Sequence, residues 1–379
     1  MSRKIPSDPV LAALRAPGTV LALDADGWMH LIHAARRHGL LARLGAELGE
    51  AGLLEQVPGK AREQFDEATA AAVLNRTVMG FEVNRVRRAL RGLDVPVVLL
   101  KGGAYLMAGL PAQRGRVAGD LDIMVPRTRL DEAERAMTAH GWVPLVADPY
   151  DQHYYRDWTH QIPPLHHKER RTELDIHHTI APPTSRARPD TTALFQDARP
   201  LPDCDAAVLS PPDMVLHSAV HLFNEEMGMG LRNLFDLHDL LVHFSGQPGF
   251  WPALAARARL HGLGRPLFYC VRFCARVCGT SIAPEGKAAV APFGPGRPVV
   301  ALMDWLVPLA ILPDPPRSAQ WGTQRARARR GAGLARWLLY VRAHWLKMPP
   351  GMLARHLAVK ALRRARPVAP GPSAPATRP

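Results

Sequence analysis

The sequence predicts an α+β fold: a small mixed β-sheet with flanking helices, preceded and followed by helical regions. Three observations carry this expectation. Apolar residues recur with helical spacing up to about residue 95. Short apolar runs then alternate with helical stretches, and helical spacing returns from Ser210 onward.

The elements follow in order. Residues 27–48 (GWMHLIHAARRHGLLARLGAEL) and 61–93 read as amphipathic helices. At Pro96 the pattern changes to the β-like run VPVVLL, then a turn at Gly102–Gly103, a short helical stretch AYLMAGL and the Gly/Arg loop PAQRGRVAG. The second strand is DLDIMV, 120–125. RTRLDEAERAMTAHG (127–141) reads as a helix ending at a Gly C-cap signal. WVPLV, a segment around HYYRD and RTELDIHHTI are further strand candidates. SPPDMVLHSAVHLFNEEM opens with a Ser-Pro-Pro-Asp helix start, and LRNLFDLHDLLVHF and FWPALAARARLHGL follow as helices. The expected organisation is a helical region 1–95, an α/β core 96–205, a helical domain 206–312 and a basic Arg/Pro-rich tail 313–379 whose end is disordered.

The net charge of +14 is uneven. From Pro313 onward fourteen Lys and Arg face a single acid, Asp314, so residues 1–312 are close to neutral. The core therefore lacks the overall basic character, and the basic stripe with interleaved aromatics, of a nucleic-acid binder. Cys270, Cys274 and Cys278 fall at i, i+4 and i+8, one face of a helix, without the paired CxxC spacing of a zinc site. They read as a buried small-residue stripe, and few cysteines fit a reducing cytoplasm. The N-terminus has no signal-peptide core, and the most apolar run, 298–313, is broken by Asp304 and Pro308.

The chemistry concentrates in KGG…GDLDIMV. On a strand Asp120 and Asp122 share one face while Leu121 and Ile123 face the core. Two adjacent carboxylates repel, and a divalent cation with a preference for hard oxygens removes that conflict. The plainer alternative is the wet side of an edge strand. Upstream, a strand, Gly102–Gly103 and a helix start offer backbone N–H groups to a phosphate. Downstream, ELDIHH puts Glu173 and Asp175 on one face of another strand, either of which can be a third carboxylate.

Together, LLKGGAYL, RVAGDLDIMV and LDIHHTI resemble the bacterial group called nucleotidyltransferase family 5, of the polymerase-beta-like nucleotidyltransferase fold. The resemblance extends over about 25–245, including LHSAVH and LRNLFDLHDLL. It implies that Asp120, Asp122 and Asp175 bind Mg²⁺ or Mn²⁺, and that Gly102 and Gly103 contact the phosphates of an NTP. It also implies that Lys101 and Arg116 clamp the triphosphate. Sixteen residues separate Gly103 from Asp120, longer than the usual spacing. The implied activity is metal-dependent transfer of a nucleotidyl group to an acceptor, which could be a small molecule, sugar, peptide or protein. Two other readings are a non-catalytic nucleotide-binding scaffold acting through its basic tail, and a nucleic-acid-processing nucleotidyltransferase.

Further candidates have plainer readings beside them. His177 shares the face of Asp175 and could touch substrate; His178 points away. His217 and His221 form an i, i+4 pair without the Glu of a zinc protease, and His221 could line the site. Arg232 and Asp236 read as an ion-pair or packing set, and His166, His167, Lys168, Arg170 and Arg171 as a solvated loop. The tail segment 325–366, with Trp337 and Trp345 among its arginines, suits an anionic membrane surface, RNA or an acidic partner protein, or a helix packed on the core with a solvated basic face. The expected location is the cytoplasm, with peripheral attachment to the inner membrane surface as an option.

Overall fold

The computed structural model describes residues 8–313 apart from 147, 171, 203 and 226, together with 322–355 and 357, with backbone alone for 322–329. The expected disordered end, His356 and all of 358–366 in the tail segment, and Arg171 lie outside the described residues.

Four helices lead in: α1 (Pro9–Arg15), α2 (Ala25–Arg37), α3 (Leu41–Glu50) and α4 (Gly59–Leu90). The periodic stretch 27–48 is two helices because Gly39 adopts φ +65° between them. The sheet region then runs β1 (Val98–Leu99), α5 (Lys101–Met107), β2 (Asp120–Met124), α6 (Leu130–Ala139), β3 (Trp142–Pro144), α7 (Pro149–His153), β4 (Leu165–His167), β5 (Glu173–His177), α8 (Thr191–Gln196), β6 (Arg199–Leu201) and β7 (Cys204–Val208). The helices α9 (Pro211–Phe223), α10 (Gly230–Ser245), α11 (Phe250–Leu260), α12 (Gly264–Phe273), α13 (Pro284–Val290), α14 (Arg297–Ile311) and α15 (Gly322–Lys347) complete it.

The seven strands form one mixed sheet in the order β3-β4-β5-β2-β1-β7-β6. β2 runs parallel to β5 and antiparallel to β1, and β1 runs parallel to β7. This is the α+β architecture the sequence predicts. Leu121, Ile123, Leu174 and Ile176 are fully buried on one face of the central pair. Alternation therefore leaves Asp120, Asp122, Glu173, Asp175 and His177 together on the other face. No helix among the described residues is long and apolar enough to cross a membrane.

Three local expectations need correcting. HYYRD is helical, not a strand: Asp148 accepts from the N–H groups of Tyr150 and Asp151 at 2.9 and 3.1 Å, and Pro149 occupies the first turn of α7. A π-helical turn over Tyr154–Trp158 continues it. His166 and His167 are not a solvated loop. They lie in β4 between β3 and β5, with His167 buried edge-on to Trp142 at 5.5 Å. Nor is Arg170 loose, since its guanidinium grips buried Glu82 of α4 through Nε at 2.6 Å. Finally, Lys101–Gly103 is the first turn of α5 rather than a separate turn.

The cysteine stripe is as read: Cys270, Cys274 and Cys278 are buried free thiols. Asp304, which breaks the apolar run of α14, ties that helix to Arg272 with two 2.6 Å bonds.

Candidate active site

The in-register parallel pairing of β2 and β5 sets Asp120 opposite Glu173 and Asp122 opposite Asp175. Asp122 is 2% exposed. Its Oδ1 accepts from Lys101 Nζ at 2.7 Å and from His177 Nε2 at 2.9 Å. Lys101 reaches it from the first residue of α5, at φ +42°, a backbone conformation that non-glycine residues seldom adopt. Asp175 accepts from Gln161 Nε2 at 2.8 Å. Gln161 lies on an irregular segment bridged to His177 of β5, a placement that nothing in the local sequence signals.

One oxygen each from Asp122 and Asp175 and one ring nitrogen of His177 lie within 4.8 Å of one another. Asp120 sits on the same face at the more open end of the strand, and Glu173, the other candidate third carboxylate, is exposed. The electrostatics divide the two inner acids. For Asp122, burial alone would favour the neutral acid, but the Lys101 charge and the His177 hydrogen bond outweigh it and hold the carboxyl far below its usual range. Asp175 is pushed up to about 6, by burial first and the Asp122 charge second. Lys101 shifts upward despite burial because Asp122 and Glu225 face it. It therefore stays an ammonium.

A histidine wall stands beside this set. His160 stacks on His177 at 5.0 Å, and His217 of α9 meets it edge-on at 6.3 Å. Burial drives both His160 and His217 well below the ordinary imidazole pKa, so they are neutral. Glu225 accepts from His221 Nδ1 at 3.0 Å and lies 3.6 Å from His160 Nε2. Sequence reasoning missed His160, Gln161 and Glu225. His178 points away as expected, with its Nε2 3.0 Å from Arg127.

The glycines have packing reasons. A methyl on Gly103 would stand 2.8 Å from Leu121 Cδ1, and one on Gly102 would stand 3.0 Å from Arg116 Nε. Arg116 thus lies over the first turn of α5, its guanidinium on the Tyr105 ring and bonded to Asp236 of α10. Asp236 therefore belongs to an ion pair, as expected, and Arg232 donates to the Val117 carbonyl at 3.4 Å. The long loop is pinned on three sides. Arg114 meets Glu50 at 3.2 Å, Asn75 of α4 exchanges two 2.9 Å bonds with the Ala118 backbone, and Gly115 abuts the Arg43 backbone. A cavity of about 450 Å³ opens beside Gly102, Arg114 and Arg116.

The profile of a family described as an uncharacterised nucleotidyltransferase matches residues 24–279. The chain belongs to that family. The match contains every site residue named above, from Lys101 to Asp236. No curated protein and no solved structure matches the chain. For a nucleotidyltransferase-family protein the Asp122, Asp175 and His177 cluster is a candidate centre for a divalent cation. The donor set fits: Asp122 and Asp175 supply hard oxygens, and one ring nitrogen of His177 lies within the same 4.8 Å.

Proposed function

We propose that the chain transfers a nucleotidyl group from a nucleoside triphosphate to a hydroxyl-bearing acceptor. The observation that carries this reading is the pairing of Asp122 with Asp175 on adjacent parallel strands, within 4.8 Å of His177, inside the matched family region.

Asp122 and Asp175, which cluster with His177, would hold Mg²⁺ or Mn²⁺, with Asp120 on the same face but outside that cluster as a further carboxylate; the ion when bound neutralises the triphosphate and polarises the α-phosphorus. The protein's own groups do the rest. His177 and Lys101 fix the Asp122 carboxylate and keep it ionised. Asp175, in register beside Asp122 and fixed by Gln161, is the carboxylate placed to accept a proton from an attacking hydroxyl. Lys101 supplies a permanent positive charge at the start of α5, where the first-turn N–H groups of Gly102 and Gly103 would meet a phosphate. Arg116, held over Gly102 by Asp236, adds a second cation. The cavity beside Gly102 and Arg116 has the size of a small-ligand site and suits the remainder of the nucleotide.

The test is turnover of labelled NTPs with Mg²⁺ or Mn²⁺ and a cell extract, followed by mass spectrometry of the nucleotidylated product. Asp122→Asn and Asp175→Asn should each abolish product while Glu173→Gln leaves it. Equal product from all four proteins would refute the reading.

A further inference from the structure

α15 presents two unlike faces. Ala332, Ala335, Leu339 and Ala343 are buried against the body of the protein. Leu334, Trp337, Val341 and Trp345 are instead 48, 59, 43 and 48% exposed. Their spacing of three, four and four residues makes them one stripe along the helix. The solvated side of this helix thus carries an apolar stripe with two tryptophans, flanked by exposed Arg330 and Arg336.

Beside Trp337 lies a cavity of about 440 Å³, lined by Arg37 and His38 from the end of α2 and by Arg336, Trp337 and Tyr340. Among the described residues no carboxylate lines it. A second copy of the chain seated on this stripe would bring like charges together. Both copies would contribute Arg37 and Arg336, and each has fourteen Lys and Arg against one acid from Pro313 onward. An anionic bilayer satisfies both features at once. Tryptophan favours the headgroup level, and guanidinium groups bind phosphate oxygens.

We propose that α15 docks this protein on an anionic lipid bilayer, with Leu334, Trp337, Val341 and Trp345 at the acyl boundary and lipid phosphates at the basic rim beside Arg37. The inference does not depend on the transfer chemistry.

The test is co-sedimentation of the full chain with vesicles of phosphatidylcholine alone and of phosphatidylcholine with phosphatidylglycerol. Wild type should prefer the anionic vesicles by about tenfold or more, and salt should weaken the binding. Trp337→Ala with Trp345→Ala should lose most of that binding at an unchanged thermal midpoint, since both side chains are exposed. Arg37→Glu with Arg336→Glu should lose the preference for anionic lipid. Equal binding by wild type and the tryptophan variant would overturn the proposal. So would a concentration-dependent dimer, seen by sedimentation velocity, that the tryptophan variant abolishes, because the stripe would then belong to a second copy.

Discussion

Asp122 and Asp213 both lie inside the protein, each against one cation and one imidazole, but their surroundings differ in kind. Asp213 of α9 is fully buried; it accepts from Ser210 Oγ at 2.7 Å, from Arg257 through Nε at 2.8 Å and Nη2 at 2.6 Å, and from His261 Nε2 at 3.2 Å. The planar guanidinium takes both oxygens, and the remaining donors saturate them. Asp122 receives two donors on a single oxygen, and its cation is a lysine at a strained backbone position. Its neighbour is a second carboxylate, Asp175, in register on the next strand. A buried aspartate with a cation and a histidine is therefore not in itself a site. The unrelieved second acid separates a place that could take up a cation from one that fastens helices together.

Substitutions should pull the two places apart. The largest effect is expected at Asp122→Asn, with nucleotidyl transfer reduced about 10³-fold or more while the far-ultraviolet circular dichroism is retained. A variant that keeps more than a tenth of wild-type turnover would make Asp122 as structural as Asp213. Next, Asp213→Ala should cost about 3–5 kcal/mol in urea unfolding, since it strands Arg257 and His261. Turnover per folded molecule should be preserved.

The third prediction reverses the sign. In EDTA at pH 7.5, Asp175→Asn should stabilise the protein by about 1–2 kcal/mol, because it removes a charge that burial and Asp122 oppose. The Asp175 pKa is raised from 3.8 to about 6, so its stabilising contribution is present below 3.8 and lost as pH rises through 6. The gain on substitution should therefore vanish in acid. Asp213 is the opposite case: hydrogen bonds from His261, Arg257 and Ser210 outweigh burial and depress its pKa. Its stabilisation is present above 3.8 and fades as pH falls through the lowered value, so Asp213→Asn should approach wild type only in strong acid. The smallest effect, about 1–2 kcal/mol, is expected from Arg257→Lys, which keeps the charge but loses the two-pronged grip. Thermal unfolding compared with Lys101→Arg would show whether fork geometry matters only at Asp213.

Which acids share a face was legible from period-two alternation, because Asp120, Asp122, Glu173 and Asp175 each flank buried Leu or Ile; that the two strands bring them together was implied by the family resemblance alone. The role of His177 was only half legible. Alternation gives its face, but its bond to Asp122 depends on the register between strands. His160, Gln161 and Glu225 were not legible. They lie just outside regular elements, and tertiary closure alone brings them to the site. The same holds for Lys101, whose positive φ no sequence rule assigns to a lysine. At HYYRD the aromatic run suggested a strand, but the Asp148 cap and Pro149 prevailed. The hairpin of β6 and β7 went unread because β6 is three residues around Pro200 and β7, CDAAV, carries only weakly apolar alternation.

That hairpin determines when the sheet can close. β1 pairs with β2 soon after both have been made, yet its other edge waits for Ala207 and Val208, more than 100 residues after its own Val98 and Leu99. During synthesis β1, the strand that leads into Lys101, thus has one unpaired edge until residue 208 has left the ribosome. A chain interrupted before that point already carries both aspartates and Lys101. It lacks the strand that completes the sheet beside them and should be prone to aggregate.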